Sequence, residues 1–265
     1  ADRFNILQMG IVGSERVFKV IDTDEKIVDR GKVSFKNIRG SIVFKNVNLF
    51  YKKDEYVLKN LNFNIESGKM LALVGSTGAG KTSIISVLNR FYEIDSGTIS
   101  IDNININDIS IKSLRKEIAL VPQEVFLFSD TILNNITLYD DNISKKQVVD
   151  AAKEIGLDDF ILSLPEGYDY VLAERGAVLS LGQRQLIAFL RVYVRNPKIL
   201  VLDEATASID TENERLLQVA LEKLSVNRTT IVIAHRLSTI VNAHKILYLD
   251  KGSVIESGTH NELLK

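Results

Sequence analysis

The chain has 265 residues, 45% hydrophobic and 25% charged, with a formal net charge of −1 and no cysteine. That length holds one or two domains with a sizeable core, and the balanced charge gives no reason to expect nucleic acid or an anionic membrane surface as a partner. Disulfides and thiolate metal centres are excluded, no apolar run approaches the ~18 residues of a membrane-crossing helix, and the first residues lack the pattern of a secretory signal.

The chain opens at Ala1 rather than Met, and the expectation is a piece of a longer protein. Phe4, Leu7, Ile11, Phe18 and Ile21, with Ser14 completing the series, fall on a three-four spacing. That predicts one amphipathic helix, or two broken near Gly10 and Gly13. Its apolar face needs a partner, either the domain that follows or an element outside the chain. The pattern changes at Ser41, which sets residues 1–40 apart from a domain over 41–265.

From Ser41 the pattern turns to strands. Asn60 to Ile65 alternates as a half-buried strand does, and Glu66-Ser67-Gly68-Lys69 is a turn. Met70 to Val74 is a continuous apolar run suited to a buried parallel strand. Thr98 to Ile101, Ile118 to Val121, Ile199 to Leu202 and Thr230 to Ala234 are further strands. Helices are expected over Thr82–Tyr92, Gln183–Arg195 and Thr211–Leu224. Residues from about 129 to 196 lack buried-strand runs and read as a helical insertion. The layout is α/β with a mostly parallel sheet.

Gly75-Ser76-Thr77-Gly78-Ala79-Gly80-Lys81-Thr82 matches G-x-x-x-x-G-K-[ST], the P-loop, between a buried strand and an amphipathic helix. Glycines let the backbone wrap closely around phosphates, and the helix N-terminus adds partial positive charge. Lys81 is placed to reach the β- and γ-phosphates, Thr82 to ligate Mg²⁺, and Ser83 to line the same turn. Farther on, Lys198-Ile199-Leu200-Val201-Leu202-Asp203-Glu204 is an apolar strand ending in carboxylates, the Walker B arrangement. Asp203 is the candidate Mg²⁺ holder and Glu204 the candidate base that orients water. A strand ending in an acid is common; its pairing with the P-loop gives it weight. No N-K-x-D guanine motif occurs, which favours ATP over GTP.

Val178-Leu179-Ser180-Leu181-Gly182-Gln183-Arg184-Gln185 resembles the signature of ABC ATPases, whose usual core reads LSGGQ. Ser180 is a good helix cap and Gly182 allows close approach, as a second phosphate site requires. The resemblance extends from about Ile42 to Lys265. It implies a P-loop core, an antiparallel β subdomain and a helical subdomain (about 129–196). It places Tyr51 on adenine, Gln123 at the Mg²⁺ and the attacking water, Asp210 in the D-loop after Ser208-Ile209, and His235 at the γ-phosphate. Two such domains would sandwich ATP, with Ser180, Gly182 and Gln183 of one closing on the P-loop of the other.

Glu174-Arg175-Gly176 and Phe126-Leu127-Phe128-Ser129-Asp130-Thr131-Ile132 look like exporter sequence. Residues 1 to 21 look like the end of a last transmembrane helix and its linker, so the resemblance implies the ATPase domain of a lipid or multidrug half-transporter, with 1–40 as the linker. Its partners would be a transmembrane domain and a second ATP-binding domain, identical or not, at the cytoplasmic face of the cell (inner) membrane. Leu181 departs from the more usual glycine, a position that varies among exporters. The alternatives are one half of a heterodimer with a single hydrolysing site, and a soluble ABC ATPase of DNA repair or translation. Neither of the soluble groups accounts for the exporter-like loop or the N-terminal linker.

Overall fold

A computed structural model of the chain describes residues 2–23, 29–52, 55–173, 176, 178–203, 211–234 and 237–264. The first element, α1 (Asp2–Ile21), runs unbroken through Gly10 and Gly13. Every residue from 3 to 23 is exposed, so the face carrying Phe4, Leu7, Ile11 and Phe18 does not lie on the domain that follows.

Residues 29–41, by contrast, are sewn onto that domain. Asp29 accepts hydrogen bonds from the N–H groups of Gly31 and Ile111 and lies 3.8 Å from the buried Arg90. The N–H of Val33 donates to the Asp108 carbonyl, and its own carbonyl accepts from Ser110. Asp102 accepts from the N–H groups of Arg39, Gly40 and Ser41 and from the Ser41 hydroxyl.

Two sheets follow. The antiparallel one holds β1 (Ile42–Lys52), β2 (Glu55–Ile65), β4 (Ser96–Ile101) and β5 (Ile104–Asn105) in the order β2-β1-β4-β5. The other holds β3 (Met70–Gly75), β6 (Ile118–Val121), β7 (Ile199–Asp203), β8 (Thr229–Ile233), β9 (Lys245–Asp250) and β10 (Ser253–Gly258) in the order β10-β9-β3-β8-β7-β6. It is parallel except for its edge strand β10, which pairs antiparallel with β9. β9 and β10 are not among the strands expected from the sequence.

The apolar runs of β3, β7 and β8 are buried on both faces, and their period of two sorts them into two cores. Leu71, Leu73, Ile199, Val201, Ile231 and Ile233 join the antiparallel sheet in one cluster. Ala72, Leu200, Leu202 and Val232 face the helices in the other. This is the expected α/β architecture, with an antiparallel β layer on one side and helices on the other.

The helices are α2 (Lys81–Leu88), α3 (Ile111–Glu117), α4 (Ile132–Thr137), α5 (Lys145–Ile155), α6 (Asp158–Leu162), α7 (Leu181–Arg195), α8 (Thr211–Ser225), α9 (Leu237–Val241) and α10 (His260–Leu263). α4 to α7 fill the stretch between 129 and 196. α2 ends four residues before the expected Tyr92 because Asn89 turns its side chain back to the Ile85 carbonyl and Arg90 takes a left-handed φ of 50°.

Candidate functional site: a phosphate loop at the edge of the parallel sheet

The loop between β3 and α2 lies at the carboxyl edge of the parallel strands, where open α/β sheets bind ligands. Its glycines serve different ends. At Gly75 a Cβ would come within 2.2 Å of the Leu249 carbonyl oxygen, and at Gly80, with φ of +103°, within 3.0 Å of Leu58 and the Val57 carbonyl. Gly78 has φ of +82° and nothing within 4 Å of where its Cβ would be. The loop is thus packed down at both ends and open in the middle. Ser76, Thr77 and Gly78 are exposed, Ala79 and Gly80 buried. Thr82 is exposed on the first turn of α2, and Ser83 is buried.

Lys81 is only 8% exposed, and its Nζ donates to the carbonyls of Gly75 (2.7 Å) and Ser76 (2.8 Å). Burial pulls its ammonium below the ordinary lysine value, and the charge of Asp203 pulls it partly back. Asp203 ends β7, one strand removed from β3, so the parallel register brings its carboxylate to the same edge as Lys81. Gln123 follows β6, which pairs with β7 through Val121 and Leu202, and is exposed.

Tyr51 at the end of β1 donates its hydroxyl to Ser83 Oγ at 3.1 Å. Its ring meets that of Tyr92 edge-on, centroids 4.8 Å apart, and both rings are about half exposed. An aromatic platform therefore stands beside the first turn of α2. Tyr92 was missed in the sequence because its nearness depends on α2 stopping early.

The second helix N-terminus is that of α7. Ser180 Oγ accepts from the Gln183 N–H, and the Gln183 side chain accepts from the Ser180 N–H, a reciprocal capping box. Ser180 is exposed and Gly182 buried. α7 packs mainly on α8, α4, α5 and β6, whereas α2 packs on β2 and β3. The expected residues Glu204, Asp210 and His235, with Glu174 and Arg175, lie outside the described residues.

After Gln123 the chain alternates: Val125 and Leu127 are buried, while Phe126 and Phe128 are 54% and 49% exposed, their rings edge to face at 5.1 Å. Behind them the side chain of Asn135, fully buried, bonds both the N–H and the carbonyl of Phe128. Neither Asn135 nor its neighbour Arg191 was singled out in the sequence, where an Asn and an Arg in helices carry no distinguishing pattern.

The ABC transporter family profile matches residues 58–207. The chain is 46% identical to the ATP-dependent lipid A-core flippase of Syntrophus aciditrophicus (strain SB), over 98% of the chain and 43% of the flippase. It is 48% identical to the putative ABC transporter ATP-binding protein exp8 of Streptococcus pneumoniae, over 98% of the chain and 45% of that protein. A bacterial Atm1-family ABC exporter solved with ATP bound superposes with a TM-score of 0.85 at 40% identity, covering 98% of this chain and 46% of the exporter. The chain thus spans less than half the length of these relatives. With its ABC ATPase fold, its phosphate loop and these matches, it belongs to the ABC transporter family.

Proposed function

We propose that this chain is the ATP-hydrolysing domain of an exporter, working on the cytoplasmic face of the membrane with a transmembrane domain and a second ATP-binding domain. The observation that carries the reading is the edge where the P-loop, Lys81 and Asp203 meet: a backbone cradle open at Ser76 to Gly78, and a buried cation coupled to a carboxylate.

ATP would lay its adenine on Tyr51 and its phosphates across the loop, where the N–H groups at the start of α2 and the Lys81 ammonium meet negative charge. To reach them, Lys81 exchanges its bonds to the Gly75 and Ser76 carbonyls for phosphate oxygens. The Thr82 hydroxyl, the Gln123 amide oxygen and the Asp203 carboxylate form a hard-oxygen set that fits Mg²⁺. When bound, that ion supplies charge neutralisation along the phosphates. Glu204 would orient the attacking water and His235 would contact the γ-phosphate. Ser180, Gly182 and Gln183 of the second domain, with Asp210 at the shared boundary, would close the site. The exposed pair Phe126–Phe128 supplies an apolar surface to the transmembrane domain.

The deciding experiment is Glu204→Gln, run by size exclusion with light scattering, with and without ATP and Mg²⁺. A dimer that forms only with ATP supports the sandwiched site. Near-normal turnover in the variant moves the base elsewhere. Lys81→Ala is expected to remove most nucleotide affinity, and unchanged ATP binding would end the phosphate-site assignment.

A further inference from the structure

The segment that follows Gln123 and the helix that begins at Ser180 are far apart in sequence, yet they are held together by a specific polar joint. Arg191, about three turns along α7, donates from Nε to the Asn135 carbonyl at 2.8 Å and, at a longer 3.5 Å, from a terminal nitrogen to the Phe126 carbonyl. Asn135 continues the joint. Its Oδ1 accepts from the Phe128 N–H at 2.8 Å, and its Nδ2 reaches the carbonyls of Phe128, Asp130 and Thr131. One buried amide thus satisfies an irregular stretch of backbone whose strand-like pairing is confined to a single bridge, Thr131 to Val171, and one guanidinium fastens the assembly to α7.

Three further contacts hold the same segment to the residues before α7. The Leu172 N–H donates to the Asp130 carbonyl and the Ile132 N–H to the Tyr170 carbonyl, each at 3.0 Å. The Leu127 side chain packs so closely on Gly176 that a Cβ there would sit 3.0 Å from it. The guanidinium is itself desolvated: burial, and then the charge of Arg195, bring it down to about 10. A cation partly withdrawn from water to bond two carbonyls is a costly choice where only packing is needed, since a leucine or methionine would fill the space.

We infer that Arg191, acting through Asn135, is a positioning residue for the ATPase cycle. It locks the segment after Gln123 to the helix headed by Ser180, so that the exposed pair Phe126–Phe128 and Ser180 move as one rigid body. This rests on the reading of Ser180 as half of the ATP site of a second copy. A push on the aromatic pair then displaces Ser180 by a similar distance instead of being absorbed in a loop. Closure over ATP is felt at the aromatic pair for the same reason.

The test compares Arg191→Met and Arg191→Lys in this chain. Since it contains no cysteine, spin labels can be placed at Ser129→Cys and Arg184→Cys, on either side of the joint. In the chain with Arg191 the label-to-label distance distribution is expected to be narrow and unchanged by ATP. Arg191→Met is expected to broaden it and to lower kcat about ten- to a hundredfold while KM for ATP stays within about twofold, because the P-loop is untouched. Arg191→Lys, which restores a cationic donor, should narrow the distribution and recover most of kcat. A distribution that stays narrow in Arg191→Met overturns the joint, and so does a kcat loss matched by an equal loss of ATP binding. Should the Met variant not fold, Arg191→Gln, neutral and shorter, carries the same comparison. If the unsubstituted chain neither binds nor hydrolyses ATP, the functional reading fails separately, and the distance distributions still decide the joint.

Discussion

At the residue scale, the P-loop glycines separate backbone packing from backbone conformation. Gly75 is pressed against the Leu249 carbonyl, so Gly75→Ala forces two main chains apart and should cost about 2–3 kcal/mol of stability. Gly78 has open space around it, so Gly78→Ala meets only the left-handed φ and should cost about 1 kcal/mol. Thermal unfolding of the two variants checks this, and the reverse order would refute it. Tyr51 makes a similar distinction for the ligand. If its ring carries adenine, Tyr51→Ala weakens ATP binding about tenfold, while Tyr51→Phe, which loses only the bond to Ser83, stays within about twofold. Titration with a fluorescent ATP analogue reads both.

At the element scale, ends and joints decide what periodicity does not. α2 stops at Leu88 because Arg115 donates to the Asn89 and Arg90 carbonyls, satisfying groups a longer helix would have used, and stacks its guanidinium over Phe91. The entry to β1 is set by Asp102. Partial burial pushes its carboxyl up, but the N–H groups of Gly40, Arg39 and Ser41 and the Ser41 hydroxyl outweigh this and hold it below its ordinary value. Being lowered in the folded state, it contributes stability that is complete above the ordinary carboxylate range and lost as pH falls through its folded value. Asp102→Ala should therefore cost about 2 kcal/mol at neutral pH. It should also flatten the acid side of the stability–pH curve, measurable by urea unfolding between neutral and acid pH; an unchanged acid limb would show that those bonds do not stabilise the fold.

At the scale of the whole molecule, the parallel sheet divides the domain between two cores, and the site runs along the edge they share. α1 takes no part in either. All residues from 3 to 23 are exposed, so removing 1–23 should leave the unfolding temperature unchanged and reduce self-association through Phe4, Leu7, Ile11 and Phe18. Scanning calorimetry with light scattering checks both, and a fall in unfolding temperature would mean that α1 packs on the domain in solution.

The amino-acid sequence carries in plain form the P-loop, the buried strands β3, β7 and β8, the helix headed by Ser180 and the family resemblance. These are written in local spacing: glycines at a turn, apolar runs of strand length, a serine three residues before a glutamine. It also predicted one or two helices at the N-terminus, but not whether the apolar face is covered, since periodicity describes a face and not its partner. That β9 and β10 complete the sheet, and that Gly75 is pinned by Leu249, emerges from the packed chain alone. The same holds for the place of Tyr92 beside Tyr51, and for the tie from Arg191 and Asn135 to the segment after Gln123. The reason is the same each time: these are contacts between residues remote in the chain. Their energies depend on distances that folding sets, whereas local pattern records only how each stretch would bend and which side it would bury.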